Sequence, residues 1–232
     1  SEVVDRVDII LSGTGWVSDI EKLGIFEAQK RGKICVAYFD HWTNYDQRLS
    51  WCEGKLKPDA IWVADAEAKM IAEECYSDIP VFQVPNFYIA QEVRDIKPIK
   101  ASNKIALYLC EPIFRYGYSD ADITLEPIHF ALNQINNGHL GSISECILRP
   151  HPSQTVNELV PALEQIVDFK VEISLGVSLK KDICKSSVVI GYHSFGLVVA
   201  HAAGRAVFCS APTGWPKSQV RLPELRYLRE FL

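Results

Sequence analysis

A chain of 232 residues with 48% hydrophobic and 23% charged residues has the composition of a globular protein with a full core, in one large domain or two small ones. Its net charge of −5 argues against a surface built for non-specific nucleic-acid binding. The cysteines at 35, 52, 75, 110, 146, 184 and 209 form no CxxC pair and read as reduced core cysteine, which argues against zinc. No apolar run approaches the ~20 residues of a membrane span, and no signal peptide is expected.

The first apolar run, 7–11, reads as a strand that feeds Ser12-Gly13-Thr14-Gly15. Ser18 then offers a helix cap, with Glu21 three residues on, and the helix stops near Arg31-Gly32. Residues 33–39 form a strand without alternation, the pattern of a strand covered on both faces in a parallel sheet. It ends in Asp40-His41-Trp42-Thr43-Asn44-Tyr45. A third strand at 60–63 leads to Asp65 and a helix through Ala66, Ala68, Met70 and Ile71. Asp65 and Glu67 suit that helix N-terminus. A fourth strand at 81–84 stops at Pro85-Asn86. The alternation of strands and helices predicts a parallel sheet with right-handed crossovers.

Residues 91–103 are polar, and a domain boundary is expected near residue 100. The pattern then repeats. Strands are read at 105–109, 145–148, 169–173, 188–190 and 206–208, and helices at 125–136, 157–167 and 179–184. Pro161 is expected in the first turn of its helix, where its missing N–H costs little. Arg221, Arg226 and Arg229 among Leu225 and Leu228 predict an amphipathic C-terminal helix, with a weak membrane-surface role as one reading. The predicted fold class is therefore α/β, two Rossmann-like lobes with parallel sheets, over 1–100 and 101–232.

Ligands in open α/β sheets sit beyond the carboxyl ends of the strands. Five polar clusters follow strands here: 12–15, 40–45, Glu111, 149–152 and 192–194. They are expected to converge on one crevice between the lobes. The strand–turn–helix at 186–212, SSVVIGYHSFGLVVAHAAGRAVFCSAP, offers backbone N–H groups and a helix dipole to an anion. In Arg149-Pro150-His151-Pro152 the flanking prolines stiffen the turn around a phosphate-competent imidazole. Gly13 and Gly15 are half of a dinucleotide fingerprint, since Ser18 stands where a third glycine belongs.

The Arg-Pro-His-Pro turn followed by this Ser-containing turn resembles the GT-B glycosyltransferases. It looks like the donor half of bacterial sialyltransferase-like, capsule Kdo-transferase-like and CDP-glycerol-transferase-like enzymes. Glu111-Pro112 falls where some of these carry a short acidic or Gln-Pro motif. The resemblance covers 104–212 by motif and 8–86 by architecture alone.

The resemblance implies a metal-independent, GT-B-like glycosyltransferase in bacterial surface-polysaccharide assembly. The second lobe would hold the donor and the first lobe the acceptor. No cofactor is implied beyond a CMP-, CDP- or UDP-linked sugar as substrate. Arg149, His151, Tyr192, His193 and Ser194, with Gly13 and Gly15, are the expected binding residues. Asp40 or His41 is the expected base, Glu111 the alternative, and Trp42 or Tyr45 a sugar-stacking ring.

Bland readings stand beside these. Ser194 is an ordinary cap, His151 a solvated turn residue, Asp40 a helix cap, Glu111 a solvated loop carboxylate, and His201 a packed or surface histidine. The expected partners are a nucleotide-sugar and a glycan, without nucleic acid. The expected location is the cytoplasm, or the periphery of the membrane's inner face. A nucleotide-sugar epimerase or hydrolase, and a non-catalytic binding module, are the alternatives.

Overall fold

Extended apolar runs with no helical spacing make the main strands of both halves, and most of them are followed by a helical segment. The computed structural model describes residues 2–15, 18–52, 54–100, 103–113, 121–165, 167–176, 178–223 and 225–232. It divides into two compact units, Ser1–Phe87 and Tyr88–Leu232.

Unit 1 runs α1 (Glu2–Asp5), β1 (Ile9–Ser12), α2 (Ile20–Lys30), β2 (Ile34–Phe39), α3 (Tyr45–Arg48), β3 (Ser50–Trp51), β4 (Gly54–Lys55), β5 (Ala60–Val63), α4 (Ala66–Cys75) and β6 (Val81–Gln83). The four main strands form a parallel sheet in the order β1-β2-β5-β6. Each strand is added on the same side of the one before. Right-handed crossovers therefore put α2 and α4 on one face. There Cys35, Ala37, Phe39, Ile61 and Val63 are sealed beneath Ile25, Ala28, Ala68 and Ala72.

The register sets Ile9 beside Ile34, Leu11 beside Val36, and Tyr38, Trp62 and Phe82 in one row on the opposite face. On that face Ile9 and Leu11 are each 59% exposed, Ile34 51% and Phe82 54%. A short antiparallel hairpin, β3 with β4, is an addition that the sequence pattern did not announce.

The chain crosses into unit 2 within α5 (Phe87–Val93). The sequence placed the boundary near residue 100. The polar connector instead packs on unit 2: Arg205 donates to the Lys97 carbonyl at 2.9 Å, and Lys180 pairs with Asp95 at 2.8 Å.

Unit 2 continues with β7 (Ile105–Leu109), a 3-10 turn (Ala121–Thr124), α6 (Glu126–Asn136), β8 (Glu145–Arg149), a 3-10 helix (Val156–Glu164), β9 (Lys170–Ile173), α7 (Leu179–Lys185), β10 (Val188–Gly191), α8 (Gly196–Ala202), β11 (Ala206–Cys209), β12 (Arg226–Tyr227) and a last 3-10 turn (Leu228–Phe231). Its six strands are parallel in the order β12-β11-β10-β7-β8-β9. Counted within the unit this is 3-2-1-4-5-6, the doubly wound Rossmann order, with the direction of winding reversed between β7 and β10.

Both faces of this sheet are covered. Ala106, Tyr108, Cys146, Leu148 and Ile190 pack with Ile128, Ala131, Leu132 and Ile135 of α6 and with Leu159 and Ala162. Leu107, Val189 and Val207 share the other face's parity, and the buried Ile183 and Leu197 of α7 and α8 pack on that side.

Three local expectations are corrected. The helix predicted at 157–167 is a 3-10 helix that keeps Pro161 in its interior. Tighter i→i+3 bonding accommodates a residue that cannot donate an N–H. The predicted amphipathic C-terminal helix is instead a strand, β12, and a 3-10 turn. Its apolar residues serve the sheet edge: Leu228 is fully buried, and Arg226 lies over the Phe208 ring at 4.4 Å. Of the cysteines, 35, 110, 146 and 209 are buried as read, whereas 52, 75 and 184 are exposed, and all seven are free thiols. Among the described residues no helix is long and apolar enough to cross a membrane.

The two faces of unit 1 and the core of unit 2 differ in what a deletion costs. Leu132→Ala, in the sealed core, should destabilise the protein by roughly 2–5 kcal/mol in urea denaturation. Ile9→Ala should cost less than about 1 kcal/mol. Equal losses would contradict the open face.

Candidate functional site

Parallel strands end together, so the loops after β8, β7 and β10 lie side by side on one edge of unit 2. β8 and β10 both pair with β7. The Arg149–Pro152 turn and the 192–194 turn are therefore two strand spacings apart, about 10 Å. Between them, at the reversal of winding, stands Glu111.

Glu111 is the centre of this edge. It is 6% exposed. Its carboxylate accepts the backbone N–H of His193 on both oxygens, at 2.8 and 2.9 Å, and that of Tyr192 at 3.2 Å. The Ser194 N–H joins them. The donors expected to hold a ligand phosphate are thus turned onto an internal anion. The solvated-loop reading of Glu111 is overturned as well. Burial pushes its pKa up to about 7, against the pull of the three N–H donors. Close packing holds the arrangement: a Cβ on Gly196 would stand 2.7 Å from Leu109 Cδ1 at the end of β7.

Tyr192 is a structural anchor. Its ring is buried against Trp215 at 5.6 Å, edge to face, and its hydroxyl donates to the Pro216 carbonyl at 3.1 Å. Its own carbonyl accepts from Ser218 Oγ. His193 Nδ1 accepts the Gln219 N–H at 3.1 Å, so the neutral ring carries its proton on Nε2. Ser194 Oγ accepts the Gly196 N–H at 3.2 Å, a side-chain turn just ahead of α8, whose N-cap position is Phe195.

On the neighbouring strand, Arg149 donates to Asp182 at 2.6 Å and to the Gly176 carbonyl at 3.2 Å. Asp182 is nearly sealed and also accepts from Ser174 Oγ at 2.8 Å. Arg149 thus ties β8 to α7, and its charge is already matched. His151 Nδ1 lies 2.7 Å from Ser153 Oγ and accepts the Ser153 N–H at 3.2 Å. Its own N–H donates to Gln154 Oε1 at 3.0 Å. Gln154 Nε2, buried beside this turn, has no acceptor among the described residues.

In unit 1 the first turn is closed by a side chain of its own. Glu21 accepts the Gly15 N–H, and a Cβ on Gly13 or Gly15 would collide with its carboxylate. Glu21 therefore serves this turn, while Ser18 Oγ accepts the Ile20 N–H at 3.2 Å. The space left by the two missing side chains holds a carboxylate.

Arg48, unremarked in the sequence, organises the end of β2. Its side chain is 8% exposed. It donates to Asp40 at 2.8 Å, to Thr14 Oγ1 at 2.8 Å and to the Thr43 carbonyl at 2.9 Å. Its guanidinium lies over the Phe39 ring at 5.3 Å. Asp40 is an ion-pair partner, exposed over 71% of its side chain. His41 stands with Nδ1 3.2 Å from Thr43 Oγ1. Burial first, and Arg48 second, lower its pKa, which keeps it a neutral base at pH 7.

Trp42 and Tyr45 are buried, not presented for sugar stacking. Trp42 donates to both oxygens of Asp65 at 3.1 Å, and Tyr45 donates to the Ala68 carbonyl at 3.2 Å. Asp65 caps α4 as expected, accepting the Ala68 N–H at 2.8 Å. Among the described residues no three His, Cys, Asp or Glu side chains gather as a metal site requires.

No family model matches the sequence. No curated protein matches it. Solved structures do match. A protein of Listeria monocytogenes assigned as a UDP-N-acetylglucosamine 2-epimerase is 13% identical with a TM-score of 0.60, covering 91% of this chain and 60% of its own. An accessory secretory protein structure (1, 2 and 3) from Streptococcus pneumoniae is 11% identical with a TM-score of 0.55, covering 99% of this chain and 46% of its own. The β Kdo 2,7-transferase KpsC of Thermosulfurimonas dismutans is 15% identical with a TM-score of 0.36, covering 97% and 88%. The chain thus spans about half to three fifths of the first two. At these identities the likeness is one of fold: α/β, two Rossmann-like units with parallel sheets, GT-B-like.

Glu111 gives the site a pH signature. A carboxyl at about 7 in the folded protein and near 4.5 when unfolded binds more protons folded than unfolded between those values. Stability from this group is therefore greatest below pH 4.5 and falls as pH rises to 7, by about 3 kcal/mol. Urea midpoints across pH 4–8 should show this loss in the wild type and not in Glu111→Gln. Parallel profiles would remove the buried ionisation.

Proposed function

We propose that the chain is a GT-B-type glycosyltransferase unit that takes a sugar from a CMP-, CDP- or UDP-linked donor to a glycan acceptor in surface-polysaccharide assembly. One observation carries this reading. The reversal point of a Rossmann-ordered sheet in unit 2 gathers Glu111, His193 and Ser194, with the His151 turn one strand away. Open α/β sheets bind their ligands at that point.

In this reading His151 and His193 donate to the donor phosphates and stabilise the leaving group. Arg149 holds the turn in place through Asp182. Glu111 fixes the 192–194 turn and, titrating close to neutrality, is the group in unit 2 fitted to exchange a proton with a sugar hydroxyl. His41, held neutral, is the base candidate of unit 1. The reaction is proposed to run without a metal.

A second reading, a non-catalytic module that binds a nucleotide-sugar or glycan, is favoured by a specific observation. The Tyr192 and His193 N–H groups are already bonded to Glu111, so they are not aimed at a leaving phosphate, and turnover lacks donors that ligand binding by the surrounding side chains does not need.

A thermal-shift screen with CMP, CDP and UDP, followed by donor turnover with His151→Ala and His193→Ala, separates these. The transferase reading expects stabilisation by one nucleotide, turnover in the wild type, and a loss of roughly 10²-fold in each variant. Stabilisation without turnover selects the module. Neither effect sinks both readings.

A further inference from the structure

Unit 2 gathers positive charge where the polar connector lies along α7. The two segments are pinned together at three places. Asp95 pairs with Lys180 at 2.8 Å. The Arg205 guanidinium donates to the Lys97 carbonyl at 2.9 Å and to the Ile183 carbonyl at 3.1 Å, and so clamps one segment to the other. Asn103 Nδ2 donates to the Lys185 carbonyl at 2.7 Å.

This pairing brings lysines from two distant parts of the chain onto one ridge. Within 95–104 and 178–185 the sequence places Lys97, Lys100, Lys104, Lys180, Lys181 and Lys185 against two aspartates. Asp182 is 3% exposed and is held by Arg149, so it adds little to the outer charge. Lys97, Lys100, Lys104, Lys181 and Lys185 are exposed and make no ion pair among the described residues. Lys181 and Lys185, four apart on α7, share its outer face, while Ile183 is sealed beneath. From the sheet, Glu145 and Glu172 pair with Lys170, and Glu172 also feels Lys185. The two segments carry +4 by sequence, which leaves −9 on the rest of a chain of −5.

The residue types narrow the kind of anion. The two segments hold no aromatic ring on which a base could stack and no arginine fork for a bidentate phosphate. Peptides are taken into grooves or onto free strand edges, whereas these lysines stand on a helix and an extended segment laid side by side. Flexible ammonium groups spread over such a surface suit a plane of diffuse negative charge. Clusters of about four to eight cations are the usual size of a lipid-headgroup contact. At about 0.1 M salt the field of the acids elsewhere decays within ~10 Å, so a bilayer touching the ridge meets chiefly the lysines.

We propose that this ridge seats the protein on an anionic bilayer, with Lys97, Lys100, Lys181 and Lys185 against the lipid headgroups. The contact rests on charge alone and does not depend on the reaction proposed above.

The test is co-sedimentation of the intact chain with vesicles of phosphatidylcholine, with and without about one third phosphatidylglycerol, at about 0.1 M salt. Binding is expected to the anionic vesicles alone and should be released at about 1 M salt. Replacing Lys97, Lys100, Lys181 and Lys185 together by Gln should weaken it by about a hundredfold or more. Replacing Lys30, Lys55, Lys57 and Lys217 by Gln removes the same charge from exposed positions elsewhere, and should change it by less than about threefold. Equal binding to neutral vesicles, a ridge variant that binds as the wild type does, or equal losses in the two variants would each overturn the proposal. So would tighter binding, at equal charge, to polyglutamate or to a single-stranded oligonucleotide, which would make the ridge a peptide or nucleic-acid surface.

Discussion

A carboxylate with almost no access to water has to be satisfied by the protein, and that requirement shapes unit 2. Glu111 meets it with the backbone N–H groups of Tyr192 and His193. Such bonds to an ionised acceptor are about twice as strong as neutral ones, yet here they only partly offset desolvation. The bonds need β7 and β10 adjacent and the 192–194 turn folded back over the strand end. Tyr192 then orders 212–220 through Pro216 and Ser218. Breaking the carboxylate contact would leave a buried carboxylate and the buried Tyr192 N–H unpaired at once, which is the costly kind of loss.

Unit 1 solves a related problem with the opposite charge. Arg48 gathers Thr14, Asp40 and the carbonyls of the loop after β2, and it rests on Phe39. Glu21 occupies the glycine turn after β1. In both units, groups of the chain itself fill positions that the Rossmann plan leaves for a ligand's charges. The chemistry proposed for unit 2 therefore falls on the histidines around its edge and on the proton of Glu111, which titrates near neutrality.

Much of the architecture was legible because parallel strands have a plain signature. Runs such as Ile34–Phe39 and Val188–Gly191 are apolar without alternation, and each ends in a polar turn. What escaped depends on distant partners. Glu111 next to Pro112 reads as a solvated loop, since nothing local announces that residues 81 positions away will bury it. Nothing in the sequence singles out Arg48, and only the fold brings Thr14, 34 residues away, to its side. Arg149 looks like a phosphate ligand until Asp182 reaches it across 33 residues. At the C-terminus the spacing of Leu225 and Leu228 fits a helix. The open edge of β11 offered a ladder instead, and tertiary pairing overrode a short local pattern.

The open face of the first sheet separates the two halves thermodynamically. Heat capacity and denaturant sensitivity both scale with the apolar surface newly wetted on unfolding. Ile9, Leu11, Ile34 and Phe82 are already half wetted in the native fold, whereas the sheet of unit 2 is sealed on both sides. Per residue, unit 1 therefore contributes the smaller heat-capacity increment and the shallower urea slope. It also has the flatter stability curve, so cold weakens it less than it weakens its neighbour.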